Sequence, residues 1–162
     1  MAHYQRLVYQ NLATVYYQLF TIYSSLSCYT ASMDTREWYR NLQKPSWAPH
    51  ESVFGQAWSI LYPIIFAVNI YIIILFLQDK ISYKVALPFW LNLFFNLIFT
   101  PIQFGLRNNF LAVVDILLVF ITIIWAMIAI WPVQKLIIIP LIPYLIWVGI
   151  ASVLQITIWL KN

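Results

Sequence analysis

The chain has 162 residues, 63% of them hydrophobic and 19% aromatic, with only 9% charged and a mean hydropathy of +0.80. A water-soluble domain carries about a quarter charged residues because its surface must be wetted, so this composition places the chain in a bilayer. Its formal charge of +4 is scattered over short connectors, which excludes the clustered basic face that nucleic acid requires.

Measured against the roughly 20 apolar residues that cross a hydrocarbon core, the sequence predicts five spans, over residues 8–29, 53–77, 85–105, 110–131 and 136–159. The expected fold is an all-α integral membrane protein, a single transmembrane domain built as a five-transmembrane-helix bundle. The first stretch, "LATVYYQLFTIYSSLSCYTAS", is the most polar. It reads as a span because its apolar core is too long for a cleaved signal, and only Arg6 supplies a basic start. Ser25 to Cys28 is a poor lipoprotein box, since Ser25 stands where a large aliphatic residue belongs. Cys28 then reads as a small buried apolar residue. With His3 and His50 far apart in sequence, neither a disulfide framework nor a metal-ligand cluster is expected.

The next segment, residues 30–52, is the one long connector, and it contains most of "WYRNLQKPSWAPHESVF". Pro45 and Pro49 stiffen it, Trp38 and Trp47 offer flat surface, and Arg36, Arg40 and Lys44 make it basic. Two readings stand open: an amphipathic loop at the headgroups, where Trp and Lys are common, or a lid over a site between the helices. The later connectors are short enough to force antiparallel neighbours. Prolines at 63, 88, 101, 140 and 143 predict local kinks, which membrane helices tolerate when neighbours satisfy the freed carbonyls. Arg6, Lys80, Lys84 and Lys135 on one side nearly balance Arg36, Arg40, Lys44, Arg107 and Lys161 on the other, so charge does not choose an orientation.

Polar residues inside spans need partners or a cavity. On the third span Asn92, Asn96, Phe99 and Gln103 share one helical stripe; on the second Trp58, Tyr62 and Asn69 do, and on the fifth Tyr144, Trp147, Ala151 and Gln155. Such stripes serve either as interhelical glue or as the lining of a pocket for a large planar apolar ligand. Asp115, one turn into the fourth span, is placed to reach Arg107 or to cap the helix start. The spans hold no further deep acids or histidines, which argues against an ion-coupled pump.

Trp38-Tyr39, Leu42, Lys44-Pro45-Ser46-Trp47, Pro49, Val53-Phe54, Trp58 and Leu61-Tyr62, then Asn96, "FGLR" from Phe104 to Arg107, Ala112, Asp115 and "PYLIW" from Pro143 to Trp147, resemble the signature of the tryptophan-rich sensory protein family, which includes the mitochondrial translocator proteins. The resemblance runs from Trp38 to the C-terminus. It implies five helices around a pocket with the first connector folded over its mouth, and binding of tetrapyrroles, protoporphyrin IX or haem, with no obligatory cofactor. Carried over position by position, it nominates Trp38, Tyr39, Lys44, Pro45, Trp47, Trp58, Tyr62, Asn96, Tyr144, Trp147 and Ala151 as ligand-binding residues. Lys44, Arg36 and Arg40 would meet propionate carboxylates. In bacterial relatives the tryptophans matching Trp58 and Trp147 are associated with light-dependent porphyrin oxidation, so a photo-oxidative catalytic role for these two is implied as well.

The sequence also departs from the family pattern. His50 replaces a proline after Pro49, which reads as a solvated loop residue or a haem-facing imidazole; Phe99 replaces a tryptophan and Gln155 an asparagine. The cholesterol-type pattern of the last helix lacks its tyrosine, since "LQITIWLK" has Ile156 and Thr157 there, which disfavours cholesterol as the ligand. A homodimer follows from the resemblance, although no small-xxx-small face marks a contact. The leading expectation is a membrane protein that senses, sequesters or transfers a tetrapyrrole, in a bacterial envelope or an organelle membrane. The alternatives are a light- and oxygen-dependent porphyrin-degrading enzyme and a small-molecule or lipid transporter.

Overall fold

The computed structural model describes residues 33–162, the side chains of Met33, Asp34 and Arg36 excepted, together with three isolated helical positions, Thr14, Gln18 and Thr21. Apart from these three positions, the span expected over residues 8–29, with Cys28 in it, lies outside the described residues.

All regular structure among the described residues is helical. A short helix α1 (Met33–Asn41) precedes α2 (Glu51–Leu77), α3 (Tyr83–Thr100), α4 (Asn109–Ile130) and α5 (Ile138–Lys161). A π turn, Pro101–Gly105, extends α3, and a single 3₁₀ turn, Lys135–Ile137, leads into α5. Four of these helical segments are long and apolar enough to cross a membrane. At 1.5 Å per residue, the 27 residues of α2 reach about 40 Å, beyond the hydrocarbon core.

Local chemistry sets each boundary. His50 takes the N-cap position of α2, its Nδ1 accepting from the Ser52 amide at 3.3 Å and lying 2.9 Å from Ser52 Oγ. Satisfying an orphan amide there is a role normally given to Ser or Asp. The histidine expected as a loop residue or a haem-facing group is thus a helix cap. At the other end of α2 the Lys80 amide donates to the Leu75 carbonyl at 2.9 Å and the Asp79 amide to Phe76 at 3.0 Å, with Asp79 left-handed at φ 55°. This is the Schellman arrangement with aspartate at the position glycine usually fills. Asn108, not Asp115, caps α4 by accepting from the Leu111 amide at 3.0 Å. Asp115 instead turns inward and is buried.

In the bundle α4 packs along α3 on one side and α5 on the other, while α2 lies against α3 and touches α5 more sparsely. Leu61, Ile65, Phe66 and Ile72 of α2 meet Phe89 of α3, Ile116, Val119 and Ile123 of α4, and Val148 of α5 in one core. Lipid tails are as apolar as these side chains, so helix association rests on close packing and interhelical hydrogen bonds rather than on water exclusion. The outward positions, Ile121, Ile128, Ile139 and Ile146 among them, are exposed and apolar, as lipid contact requires.

Candidate functional site

The sparse contact between α2 and its neighbours leaves a cavity of about 750 Å³ at the end of the bundle where α2 starts and α5 finishes. From α2 it is walled by Phe54, Gly55, Trp58, Ser59, Tyr62 and Pro63, and from α3 and the π turn by Asn96, Phe99, Thr100, Gln103 and Phe104. Ile116 and Val119 of α4 and Ala151, Leu154 and Gln155 of α5 close the far side, while Thr35 and Tyr39 of α1 and Glu51 form its mouth. Spacings of four residues bring Phe54, Trp58 and Tyr62 onto one face of α2. The Trp58 and Tyr62 rings lie 5.1 Å apart with a 32° tilt, which makes a continuous aromatic wall.

The π turn carries Gln103 and Phe104 of the lining. Pro101 has no amide to donate, and the Leu106 amide closes a widened turn on the Pro101 carbonyl at 2.9 Å. Gln103 is 1% exposed, and its Oε1 accepts from Gln155 Nε2 at 2.8 Å, which ties α3 to α5 along the wall. Its own Nε2 donates to Asn109 Oδ1 at 3.3 Å. The polar stripe of α3 therefore serves as lining and as glue at once.

Deeper, Asn92 Nδ2 donates to the Val119 carbonyl at 2.9 Å and to Thr122 Oγ1 at 3.0 Å, and the Tyr144 hydroxyl donates to Asn92 Oδ1 at 3.1 Å. Asn96 Nδ2 donates in turn to the Tyr144 oxygen at 2.8 Å. The remaining Asn96 Oδ1 is buried with no hydrogen-bond partner among the described residues. Such an atom costs free energy unless something accepts the role of donor.

Over the mouth, α1 and the following turn form a basic and aromatic cover. The Tyr39 ring meets Phe104 edge-on at 5.6 Å, and the Lys44 ammonium sits 4.3 Å from the Tyr39 ring centre. Burial pushes the Tyr39 hydroxyl up to about 12, with the Glu51 carboxylate adding to the rise. Burial lowers the Lys44 ammonium from its ordinary value, Glu51 pulling it back up and Arg40 pushing it further down. Arg40 Nε lies 3.5 Å from Glu51 Oε1. The turn is pinned to the end of α5 by Asn162, whose Oδ1 accepts from the Gln43 amide at 2.9 Å while its Nδ2 donates to the Gln43 carbonyl at 3.2 Å.

Of the residues nominated from sequence, Tyr39, Trp58, Tyr62, Asn96 and Ala151 line the cavity. The other six do not, each for a local reason. Trp38, the helical neighbour of Tyr39 and about 100° around the axis from it, lies outside the lining. Lys44 stacks on the Tyr39 ring outside the lining, Pro45 is buried in the turn, and Trp47 is 49% exposed at its tip. Tyr144 is buried behind Asn96 and reaches the cavity only through that hydrogen bond. Trp147 packs edge-on against Phe54 at 5.6 Å, behind the lining, with its indole nitrogen buried and unpartnered among the described residues. Asn69, placed on the α2 stripe, donates to its own helix at Ile65 O, 2.9 Å away, and lies outside the lining. Thr35, Glu51, Phe54 and Phe104 are lining residues that sequence reasoning did not nominate. Phe54 and Phe104 carried a signal, since both stand in the stretches that resemble the family, Phe54 four residues before Trp58.

The chain matches the model of the TspO/MBR family over residues 14–160. It is 37% identical over 131 residues to the tryptophan-rich protein TspO of Bacillus cereus, covering 78% of this chain and 82% of that protein. It is 33% identical over 150 residues to the human translocator protein, 88% of each chain, and 30% identical over 126 residues to protein CrtK of Rhodobacter capsulatus, 77% of this chain and 78% of that one.

Proposed function

Because the chain belongs to the TspO/MBR family and is a multi-pass membrane protein, we propose that it binds a tetrapyrrole, protoporphyrin IX before haem, and acts in its sensing, sequestration or transfer. The cavity carries this reading. Its volume of about 750 Å³ lies within the roughly 300–1,000 Å³ typical of small-molecule sites, and its walls set flat aromatic rings beside a few amides. Trp58 and Tyr62 supply a face on which a planar macrocycle stacks. The Asn96 side chain borders the cavity, although its unpartnered Oδ1 is closed off from it. Arg40 and Lys44, at the mouth rather than in the wall, are where propionates emerging from the cavity would be met.

The lining favours the metal-free ring. No histidine, cysteine or methionine is among the described lining residues, and these are the usual axial ligands of haem iron. Tyr39 is a poor substitute, since burial holds its hydroxyl protonated up to about 12.

A second reading, light- and oxygen-dependent degradation of bound porphyrin, is favoured by the position of Trp58 in the wall, where its indole is within reach of an excited macrocycle. Trp147 stands outside the lining and packs on Phe54, which is part of it. Titration of protoporphyrin IX into the purified protein in darkness, followed by the Soret band and tryptophan quenching, tests the binding reading. Saturation supports it, and linear partitioning like that into empty detergent removes it. Illumination of the saturated complex then tests the second reading by the appearance of a new absorbing product.

A further inference from the structure

Glu51 is the one acid among the described residues that line the cavity. It stands in the first turn of α2, next to the His50 cap, where the helix N-terminus favours a negative charge. Its carboxylate touches Arg40 at 3.5 Å, and the two side chains are 44% and 67% exposed, so the pair is wet and can exchange partners at little cost. Lys44 and Tyr39 also feel its charge. The cations expected to receive a ligand's carboxylates therefore already face an anion, and that anion borders the cavity itself.

We propose that Glu51 is the resident counter-ion of the mouth and sets the charge preference of the site: a ligand carboxylate that reaches Arg40 must share its guanidinium with Glu51, and it remains beside a negative charge. The proposal rests on the tetrapyrrole reading above. Glu51 thus penalises a dicarboxylate porphyrin relative to an uncharged one of the same shape, while Arg40 does the reverse. Salt, by screening both terms, narrows the difference.

The test compares protoporphyrin IX with its dimethyl ester, which keeps the ring and removes both charges, on the wild-type protein, Glu51→Gln and Arg40→Gln. The readout is the ratio of the two affinities. Glu51→Gln is expected to raise the preference for the diacid by about two- to fivefold, the scale of an exposed ion pair, and Arg40→Gln to lower it by a similar factor. A ratio that does not move in Glu51→Gln, or that falls, overturns the proposal. If Glu51→Gln does not yield folded protein, Arg40→Gln decides alone, and an unchanged ratio there overturns it too. A wild-type protein that binds both porphyrins saturably while Glu51→Gln is blind to charge leaves the tetrapyrrole reading standing and removes this inference. A wild-type protein that binds neither saturably removes both.

Discussion

Asn96 donates a 2.8 Å hydrogen bond to the Tyr144 hydroxyl, and that hydroxyl hands its own proton to Asn92 Oδ1 at 3.1 Å. A single phenol therefore holds two asparagines of α3 against α5, and through Asn92 also against α4. Tyr144 does not face the cavity, yet it fixes the orientation of the amide that does. Removing its hydroxyl strands a donor and an acceptor in a dry interior, so Tyr144→Phe is expected to lower stability in detergent by about 1 kcal/mol, the scale of interhelical hydrogen bonds in membranes. A drop in the thermal midpoint, with ligand affinity reduced less than by Trp58→Ala, is the expected pattern.

Trp58 and Trp147 separate under the same logic. Trp58 forms the wall, whereas Trp147 lies behind Phe54. Trp147→Leu is therefore expected to weaken protoporphyrin binding by less than Trp58→Leu, and equilibrium titration of the two variants side by side measures the order. The reverse order would place the ring on the α5 side.

Tyr39 makes the cover sensitive to alkali. Its hydroxyl titrates at about 12 when docked, against about 10 when free. The folded value lies above the free one, so the docked state holds the proton more tightly. The resulting stabilisation is complete below pH 10 and is lost as pH rises from 10 through 12. Ultraviolet titration of tyrosinate is expected to show a late component that disappears in Tyr39→Phe and moves to lower pH in Glu51→Gln, since Glu51 contributes to the rise.

Four of the five expected spans coincide with described helices, because twenty apolar residues in a row have few other uses: α2, α4 and α5, and α3 taken with its π turn, fall within two residues of the expected limits. The α3 stripe was legible as well, since Asn92, Asn96 and Gln103 repeat at helical spacing and all three are buried. What escaped depended on chain geometry that periodicity does not carry. The π turn at Pro101–Gly105, which carries Gln103 and Phe104 of the wall, has no periodic signature in the sequence. Helix α1 was read as part of a connector because nine residues, polar on most sides, give a weak helical signal, and it is α1 that puts Thr35 and Tyr39 at the mouth while turning Trp38 away. Glu51, given no role in the sequence analysis, is a first-turn acid of α2 and borders the cavity as well.

The Asn162 clasp predicts where the cover opens. Its side chain makes two hydrogen bonds to the Gln43 backbone across a separation of 119 residues. Each contributes about 0.5–1.5 kcal/mol, so Asn162→Ala is expected to speed exchange of the Gln43 amide hydrogen about tenfold or more. Ligand association and dissociation should both quicken, with a smaller change in their ratio. Hydrogen exchange by mass spectrometry and stopped-flow quenching report the two effects.

Ligand stacking on the α2 wall is tested most directly by one paired comparison. Trp58→Ala removes an indole from the cavity, whereas Trp125→Ala removes one from the exposed outer face of α4. Both variants lose a fluorophore, so protoporphyrin IX affinity is read from the Soret band in darkness. The expected result is saturable binding by the wild type and Trp125→Ala, with Trp58→Ala weaker by about tenfold, or 1.4 kcal/mol. Equal affinities in all three proteins, or uptake that never saturates, would contradict the account and leave the aromatic wall as helix packing.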